Sequence, residues 1–422
     1  MRITAEPPEE QFVRILNAYL HPSSPIQSEE FLRGRKDQLV IIKKALASSG
    51  RNAFIYGERG VGKTSVAHTA AYLHQSSDAN PILITCDKDS TCFRICQSIC
   101  KKLLSQIPLE QKHSTGRKIS AKTPFFNAEI HKSVENDQIP LPSSIDQAIE
   151  LIAFSAERHS TSPVIVVDEF DRLPYERERG FFGDLIKQVG DQFINLKFIF
   201  CGVGSSLVDL LAGHESCFRY LSSVKLERLK FAPRMEIIEA AAKALNIRVT
   251  RDYIIRIARI SDGFPHYVHL IGNKMFWAAF EDGAFEVRSD HYKRGITEAI
   301  NDVEPHLKDA YDKATKKYGN EYQYVLWALA DHPDFERRST DVYDSFIRIM
   351  KQLNQQPFDR TRFNTRMNSL KKETYGSILL ATRQGWYQFR EPVLRGYCRL
   401  RAEDRDVQLD RDHYLEPSRL GF

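Results

Sequence analysis

The chain has 422 residues, 42% of them hydrophobic and 27% charged, with a formal net charge of +5. At about 100 to 200 residues per domain, that length exceeds one ordinary core and implies a multi-domain protein of globular composition. No stretch approaches the ~18 consecutive apolar residues of a membrane span, so no membrane partner is expected.

The N-terminus, Met1 to Glu10, carries acidic residues and prolines where a secretory signal needs a basic start and an apolar run, which points to the cytoplasm. Seven cysteines, an odd number without small-scaffold spacing, fit a reducing compartment. Residues 1–30 read as a helical extension.

Arg51 to Tyr56 reads as a short buried strand, followed by Gly57-Glu58-Arg59-Gly60-Val61-Gly62-Lys63-Thr64 and a helix running on from Ser65. In this G-x-x-x-x-G-K-T spacing, glycines let successive backbone N–H groups curl around a phosphate, and the helix N-terminus adds its dipole. Gly57 through Ser65 are therefore the expected cradle for the phosphates of ATP. Lys63 would reach the β and γ phosphates, and the Thr64 hydroxyl would bind Mg2+.

Cys92, Cys96 and Cys100 recur every four residues along one helical face. The spacing superficially resembles a metal or redox cluster, but the interleaved Phe93, Ile95 and Ile99 favour a packed apolar face. Residues 105–145 read as an irregular insertion, with the polar run Lys112 to Lys118 and the prolines Pro124, Pro140 and Pro142.

Val164 to Val167 is a β-branched run of the kind expected for a central parallel strand covered on both faces, and it ends in Asp168-Glu169. Carboxylates at the C-terminal end of such a strand lie at the ligand edge of an open α/β sheet. Asp168 is the expected holder of Mg2+ through water, and Glu169 the expected base that orients and deprotonates the attacking water. A third strand, Lys197 to Cys201, ends in Gly202-Val203-Gly204-Ser205-Ser206. Ser205, with Ser206 in reserve, is a candidate contact to the γ-phosphate and the water; capping the next helix is an equally good alternative.

These strands, with Phe31-Leu32-Arg33-Gly34-Arg35 ahead of the loop, resemble the AAA+ superfamily over residues 25 to 295. Within it they resemble the replication-initiator branch, the origin-recognition and archaeal initiator ATPases, and the bacterial ATPases of transposon and defence systems. The resemblance implies an α/β P-loop core at 31–210 and a helical lid at 211–298. It makes Leu32 and Gly34 base contacts, and Arg219 a candidate arginine finger in a homo-oligomer formed through the ATPase domain. A surface pairing of Arg219 with Glu215, one helical turn away, is the plainer reading of the same residues. At Gly263-Phe264-Pro265-His266, His266 stands near the place where many AAA+ lids carry an arginine on the γ-phosphate. The Gly-x-Pro form also resembles signal-transduction ATPases that hold nucleotide as a switch, which implies slow or partner-stimulated hydrolysis.

Beyond Asp302 the pattern becomes three helices, at 322–330, 340–353 and from 359, then two short strands joined at Gln384-Gly385. This order resembles a winged-helix domain, assigned to 299–404, with 405–422 as a tail. Residues 341–400 hold 11 Lys/Arg against 5 Asp/Glu, a net of +6 that leaves −1 elsewhere. The asymmetry points to a polyanion, and Arg362, Arg366, Lys371, Lys372 and Arg383 are the candidate contacts to duplex DNA. The leading expectation is an ATPase that couples nucleotide state to DNA in replication, transposition or mobile-element defence. The alternative is a nucleotide-controlled signalling switch that recruits a protein effector.

Overall fold

The structure, a computed structural model, describes residues 8–75, 80–107, 139–159, 161–173, 176–204, 215–316 and 319–410. The chain divides into two compact units, one of residues 25–58 and 62–227, the other of 1–24, 59–61 and 228–422.

The first unit is built on a five-stranded parallel sheet. Its strands are β1 (Asn52–Gly57), β2 (Ile82–Thr85), β3 (Val164–Asp168), β4 (Lys197–Val203) and β5 (Leu221–Lys225), in the order β2-β3-β4-β1-β5. All five residues of β3 are buried, as a β-branched strand covered on both faces requires. The register pairs Gly57 with Val203 and Thr85 with Asp168, so the C-terminal ends of these strands form one common edge. Helices α2 (Lys36–Ala47), α3 (Lys63–His74), α4 (Cys92–Ser105), α5 (Ile145–Ala156) and α6 (Glu176–Asp191) belong to the same unit. Its core holds the rings of Phe54, Phe170, Phe182 and Phe200, with Phe170 centred 5.3 to 5.5 Å from the other three.

Cys92, Cys96 and Cys100 lie on the buried face of α4, and the Thr91 hydroxyl caps its start by accepting from the Arg94 amide. Burial pushes the Cys92 and Cys100 thiols well above their ordinary range, which makes them inert packing groups. Of the expected insertion, residues 108–138 lie outside the described residues, as does the tail from 411.

The second unit is mainly helical. Helices α7 (Phe231–Leu245), α8 (Arg251–Ile260), α9 (Pro265–Glu281) and α10 (Ser289–Asp302) occupy the region expected to be the lid. The N-terminal helix α1 (Pro8–Tyr19) packs on them: Phe12 stacks on Phe280 at 4.0 Å and meets Trp277 edge-on at 5.1 Å. There follow α11 (Pro305–Thr315), α12 (Glu321–Ala330), β6 (Arg337–Arg338), α13 (Ser339–Gln352), α14 (Arg360–Ser369), β7 (Leu379–Arg383), β8 (Trp386–Phe389) and α15 (Leu394–Glu403). The three strands make an antiparallel sheet in the order β6-β8-β7, and Gly385 turns the hairpin with a φ of +75°.

A buried charge cluster locks α15 onto the loop between α8 and α9. Asp262 meets Arg395 at 3.1 Å, Arg399 at 3.3 Å and Arg228 at 3.1 Å. One carboxylate cannot neutralise three guanidiniums. Arg399 therefore also pairs with Asp410 at 3.1 Å and donates to the Ala330 and Arg259 carbonyls, while Arg395 donates to that of Asp334. Among the described residues, no helix is long and apolar enough to cross a membrane.

Candidate nucleotide-binding site

The phosphate loop follows β1 directly. A Cβ at Gly57 would collide with the Leu226 carbonyl, so only glycine fits there. Gly62 caps α3 in the left-handed region, at a φ of +93°. Lys63, only 9% exposed, begins that helix. Its ammonium donates to the Glu58 carbonyl at 2.7 Å and to the Gly57 carbonyl at 3.2 Å, folding back over its own loop.

The next residue reaches across the sheet. The Thr64 hydroxyl donates to Asp168 Oδ2 at 2.6 Å, and Asp168 Oδ1 accepts from the Glu169 amide at 2.8 Å. The Cys86 amide donates to the Asp168 carbonyl at 2.9 Å, tying β2 to the same point. Thr64 and Asp168 together present a hydroxyl and a carboxylate, hard oxygen donors of the type Mg2+ takes, so the donor set fits that ion. His68, one turn further along α3, is held below the usual histidine range by burial, against the opposing pull of Asp168.

Glu169 has a φ of +53°, a left-handed conformation rare for a glutamate. It opens a single 3-10 turn, Phe170–Arg172, and its carboxylate pairs with Arg172 Nε at 3.0 Å. Asp171 accepts from the amide of Val203, the last residue of β4, at 2.7 Å. Motif spacing does not select Asp171 or Arg172; the acid-to-base spacing of three from Glu169 to Arg172 is the available signal.

Leu32 is buried and Gly34 has a φ of +68°, just ahead of α2. The segment leading to them is held on α3: the Ile26 amide donates to the Ser65 hydroxyl at 3.2 Å, and Thr69 donates to the Ile26 carbonyl at 3.0 Å. Ser65 thus holds this segment. Ser205 and Ser206 lie outside the described residues.

Arg219 is 66% exposed and lies 3.5 Å from Asp191 at the end of α6, donating also to the Tyr220 hydroxyl at 2.5 Å. Asp191 is distant in sequence; the Glu215 side chain, the partner that sequence spacing suggests, lies outside the described residues. In the other unit, His266 Nδ1 donates to the Pro22 carbonyl at 3.0 Å and its Nε2 lies 3.6 Å from Glu304. His269, one turn on, accepts from the His21 amide at 3.2 Å. The start of α9 therefore clasps the chain just after α1.

On α14, Arg362 and Arg366 both pair with Glu321, Arg366 at 2.8 Å with its side chain only 15% exposed. Lys371 lies over the Tyr387 ring at 5.6 Å, and Lys372 is exposed. Arg383 stacks on Trp386 at 3.8 Å, with Arg338 of β6 also over that ring at 5.0 Å. No periodicity or motif in the sequence selects Arg338.

The family model described as an AAA domain matches residues 46–211. The ORC1-type DNA replication protein 1 of Archaeoglobus fulgidus is 25% identical over 207 residues, 47% of this chain and 41% of that protein. The matched stretch is thus less than half the length of that relative. Among solved structures, a Walker-type ATPase of Pyrococcus abyssi is similar with 18% identity, covering 89% of this chain and 98% of its own, at a TM-score of 0.47. Cdc6p from Pyrobaculum aerophilum follows with 15% identity, 90% and 97% coverage and a TM-score of 0.45.

Proposed function

For a chain that carries an AAA domain and is related to replication-initiator ATPases, we infer that it binds and hydrolyses ATP and couples nucleotide state to contact with duplex DNA. The observation that carries this reading is the convergence of Lys63, Thr64, Asp168 and Glu169 on one edge of the parallel sheet.

Each group has a task set by its chemistry. Lys63 exchanges the loop carbonyls for phosphate oxygens and balances their charge. Thr64 and Asp168 would hold Mg2+, which when bound neutralises the charge developing on the phosphates. Glu169 accepts the proton of the attacking water as the bond between the γ-phosphorus and its bridging oxygen breaks. Ser65 and Thr69 keep the Ile26 segment in place so that Leu32 and Gly34 meet the base. His266 and Ser205 remain candidate γ-phosphate contacts, and Arg219, on the surface, a candidate donor to a neighbouring copy in an oligomer.

The helix, strand, helix, helix and hairpin order from α12 to β8 supports reading this part as a winged helix. Arg362, Lys372, Arg383 and Arg338 are candidate contacts among its exposed cations, and Arg366 and Lys371 add positive charge beside them. Backbone contacts from such groups make binding salt-sensitive and only modestly sequence-specific. DNA replication, as in the relative's name, is the favoured setting; transposition and mobile-element defence use the same chemistry.

The test is steady-state ATP hydrolysis by the wild-type protein and Glu169→Gln, with and without duplex DNA across a salt series. The expected result is hydrolysis that DNA stimulates, that fades with salt and that Glu169→Gln abolishes while ATP stays bound. An unchanged rate in Glu169→Gln removes the general base, and a rate indifferent to DNA removes the coupling.

A further inference from the structure

Strands β3 and β4 separate before β4 ends. Their pairing runs from Val164 with Lys197 to Val167 with Phe200, after which β3 turns away through Asp168 and Glu169. Strand β4 continues to Val203, still paired on its other side with β1, and Val203 lies opposite Gly57, the first glycine of the phosphate loop. On the side that β3 has left, the Val203 amide donates to Asp171 Oδ1 at 2.7 Å. The carboxylate supplies the acceptor that a longer β3 would have offered from its backbone, so a side chain completes the ladder.

Val203 therefore joins the two halves of the candidate site. Through β1 it is held to the phosphate loop, whose Gly57 is seated so closely on the Leu226 carbonyl that no Cβ fits. Through Asp171 it is held to the turn that presents Glu169. Phe170 anchors the same turn, fully buried among the rings of Phe54, Phe182 and Phe200, and the Arg172 amide closes it by donating to the Glu169 carbonyl at 2.9 Å. The left-handed backbone of Glu169 lies within this arrangement, and unusual backbone of this kind concentrates at functional sites.

We propose that Asp171 is a positioning residue for ATP hydrolysis, whose bond to the Val203 amide sets the distance between the phosphate loop and Glu169. This rests on the reading of Glu169 as the general base. A displacement of about 1 Å at a reacting group costs about a hundredfold in rate. Phosphate binding, by contrast, depends on Lys63 and the loop amides, which are built between β1 and α3. Loss of Asp171 is therefore felt in turnover and not in affinity. Because its partner is a backbone amide, what Asp171 contributes is an oxygen at a fixed reach, and a neutral carbonyl oxygen of the same reach serves as well.

The experiment measures kcat, KM and the affinity for a non-hydrolysable ATP analogue in the wild-type protein, Asp171→Ala, Asp171→Asn, Asp171→Glu and Glu169→Gln, with thermal melting as the check on folding. Asp171→Ala is expected to lower kcat about 10- to 100-fold and to leave KM and analogue affinity within about twofold. Asp171→Asn keeps the acceptor at the same reach and should return kcat to within about threefold of wild type. Asp171→Glu keeps the charge but lengthens the reach, and should stay impaired. If Asp171→Ala does not fold, the order of Asp171→Asn above Asp171→Glu decides the matter. Wild-type kcat in Asp171→Ala overturns the positioning role. So does activity that follows charge, with Asp171→Glu active and Asp171→Asn impaired, or a parallel fall of kcat and analogue affinity, the mark of a general structural loss. Each of these, with Glu169→Gln inactive, leaves the proposed function standing. Wild-type turnover in Glu169→Gln removes the base and this inference with it.

Discussion

Thr64 and Asp168, 104 residues apart in the chain, meet at 2.6 Å, joining the start of α3 to the end of β3. This hydrogen bond joins the two oxygens proposed to serve Mg2+, so the candidate metal donors are paired with each other.

Thr64→Val preserves the shape of the side chain and removes the hydroxyl. It should weaken the Mg2+-dependent part of ATP binding about tenfold or more, the usual scale for loss of a metal-site group, and leave Mg2+-free binding nearly unchanged. Titration of a fluorescent ATP analogue with and without Mg2+ measures both. An undiminished Mg2+ effect would remove Thr64 from the metal site.

The Asp262 cluster should be the most sensitive charged position in the α-helical unit. Arg395 is fully buried, and burial pulls its guanidinium down to about 10 against the opposing pull of Asp262, so it stays charged at neutral pH. Asp262→Ala leaves three guanidiniums without their shared carboxylate and should cost about 3 to 5 kcal/mol. Denaturant unfolding reads this directly; a loss below about 1 kcal/mol would mean that the surrounding carbonyls suffice.

His269 supplies a pH dependence. Burial, with smaller contributions from His21 and His266, pulls its imidazole down to about 3, and its Nδ1 accepts from the His21 amide, a bond only the neutral ring can make. The folded value lies below the ordinary 6.5, so the stabilisation is complete above pH 6.5 and is lost as pH falls towards 3. Between pH 6.5 and 4.5 this one site should remove about 2 to 3 kcal/mol. Stability measured across that window should be flatter in His269→Gln; equal slopes would assign the acid sensitivity elsewhere.

For DNA, the informative positions are the exposed ones. Lys372→Glu combined with Arg383→Glu should weaken duplex binding across all sequences and reduce the slope of log affinity against log salt by about 2, one for each lost phosphate contact. Glu321→Gln, which relaxes the hold on Arg362 and Arg366, should move affinity the other way. If neither change alters binding, the basic face is only a solvated one.

The legible parts of this protein were the local ones. Gly57, Gly62, Lys63 and Thr64 announce themselves because a phosphate loop is a single turn between a strand and a helix, and β3 because a doubly covered strand must be continuously apolar. The cysteines of α4 read correctly as packing groups from their apolar neighbours. What could not be read depends on side chains meeting over long separations. The capture of Arg362 and Arg366 by Glu321, and the pairing of Arg219 with Asp191, leave no periodic trace. Strand β6 is two arginines long and carries no alternation, and Arg172 is visible only once the turn after β3 is seen to curl back on Glu169.

The strand order has a consequence for the newly made chain. The strands bearing the phosphate loop and the acidic pair, β1 and β3, do not touch; β4, later in sequence than both, lies between them. While synthesis proceeds from the N-terminus, a chain that has emerged only as far as Glu169 holds Lys63, Thr64, Asp168 and Glu169 but lacks the strand between β1 and β3 that sets their spacing. Nucleotide binding by growing chains is therefore expected to switch on only once Lys197 to Val203 has left the ribosome and been inserted.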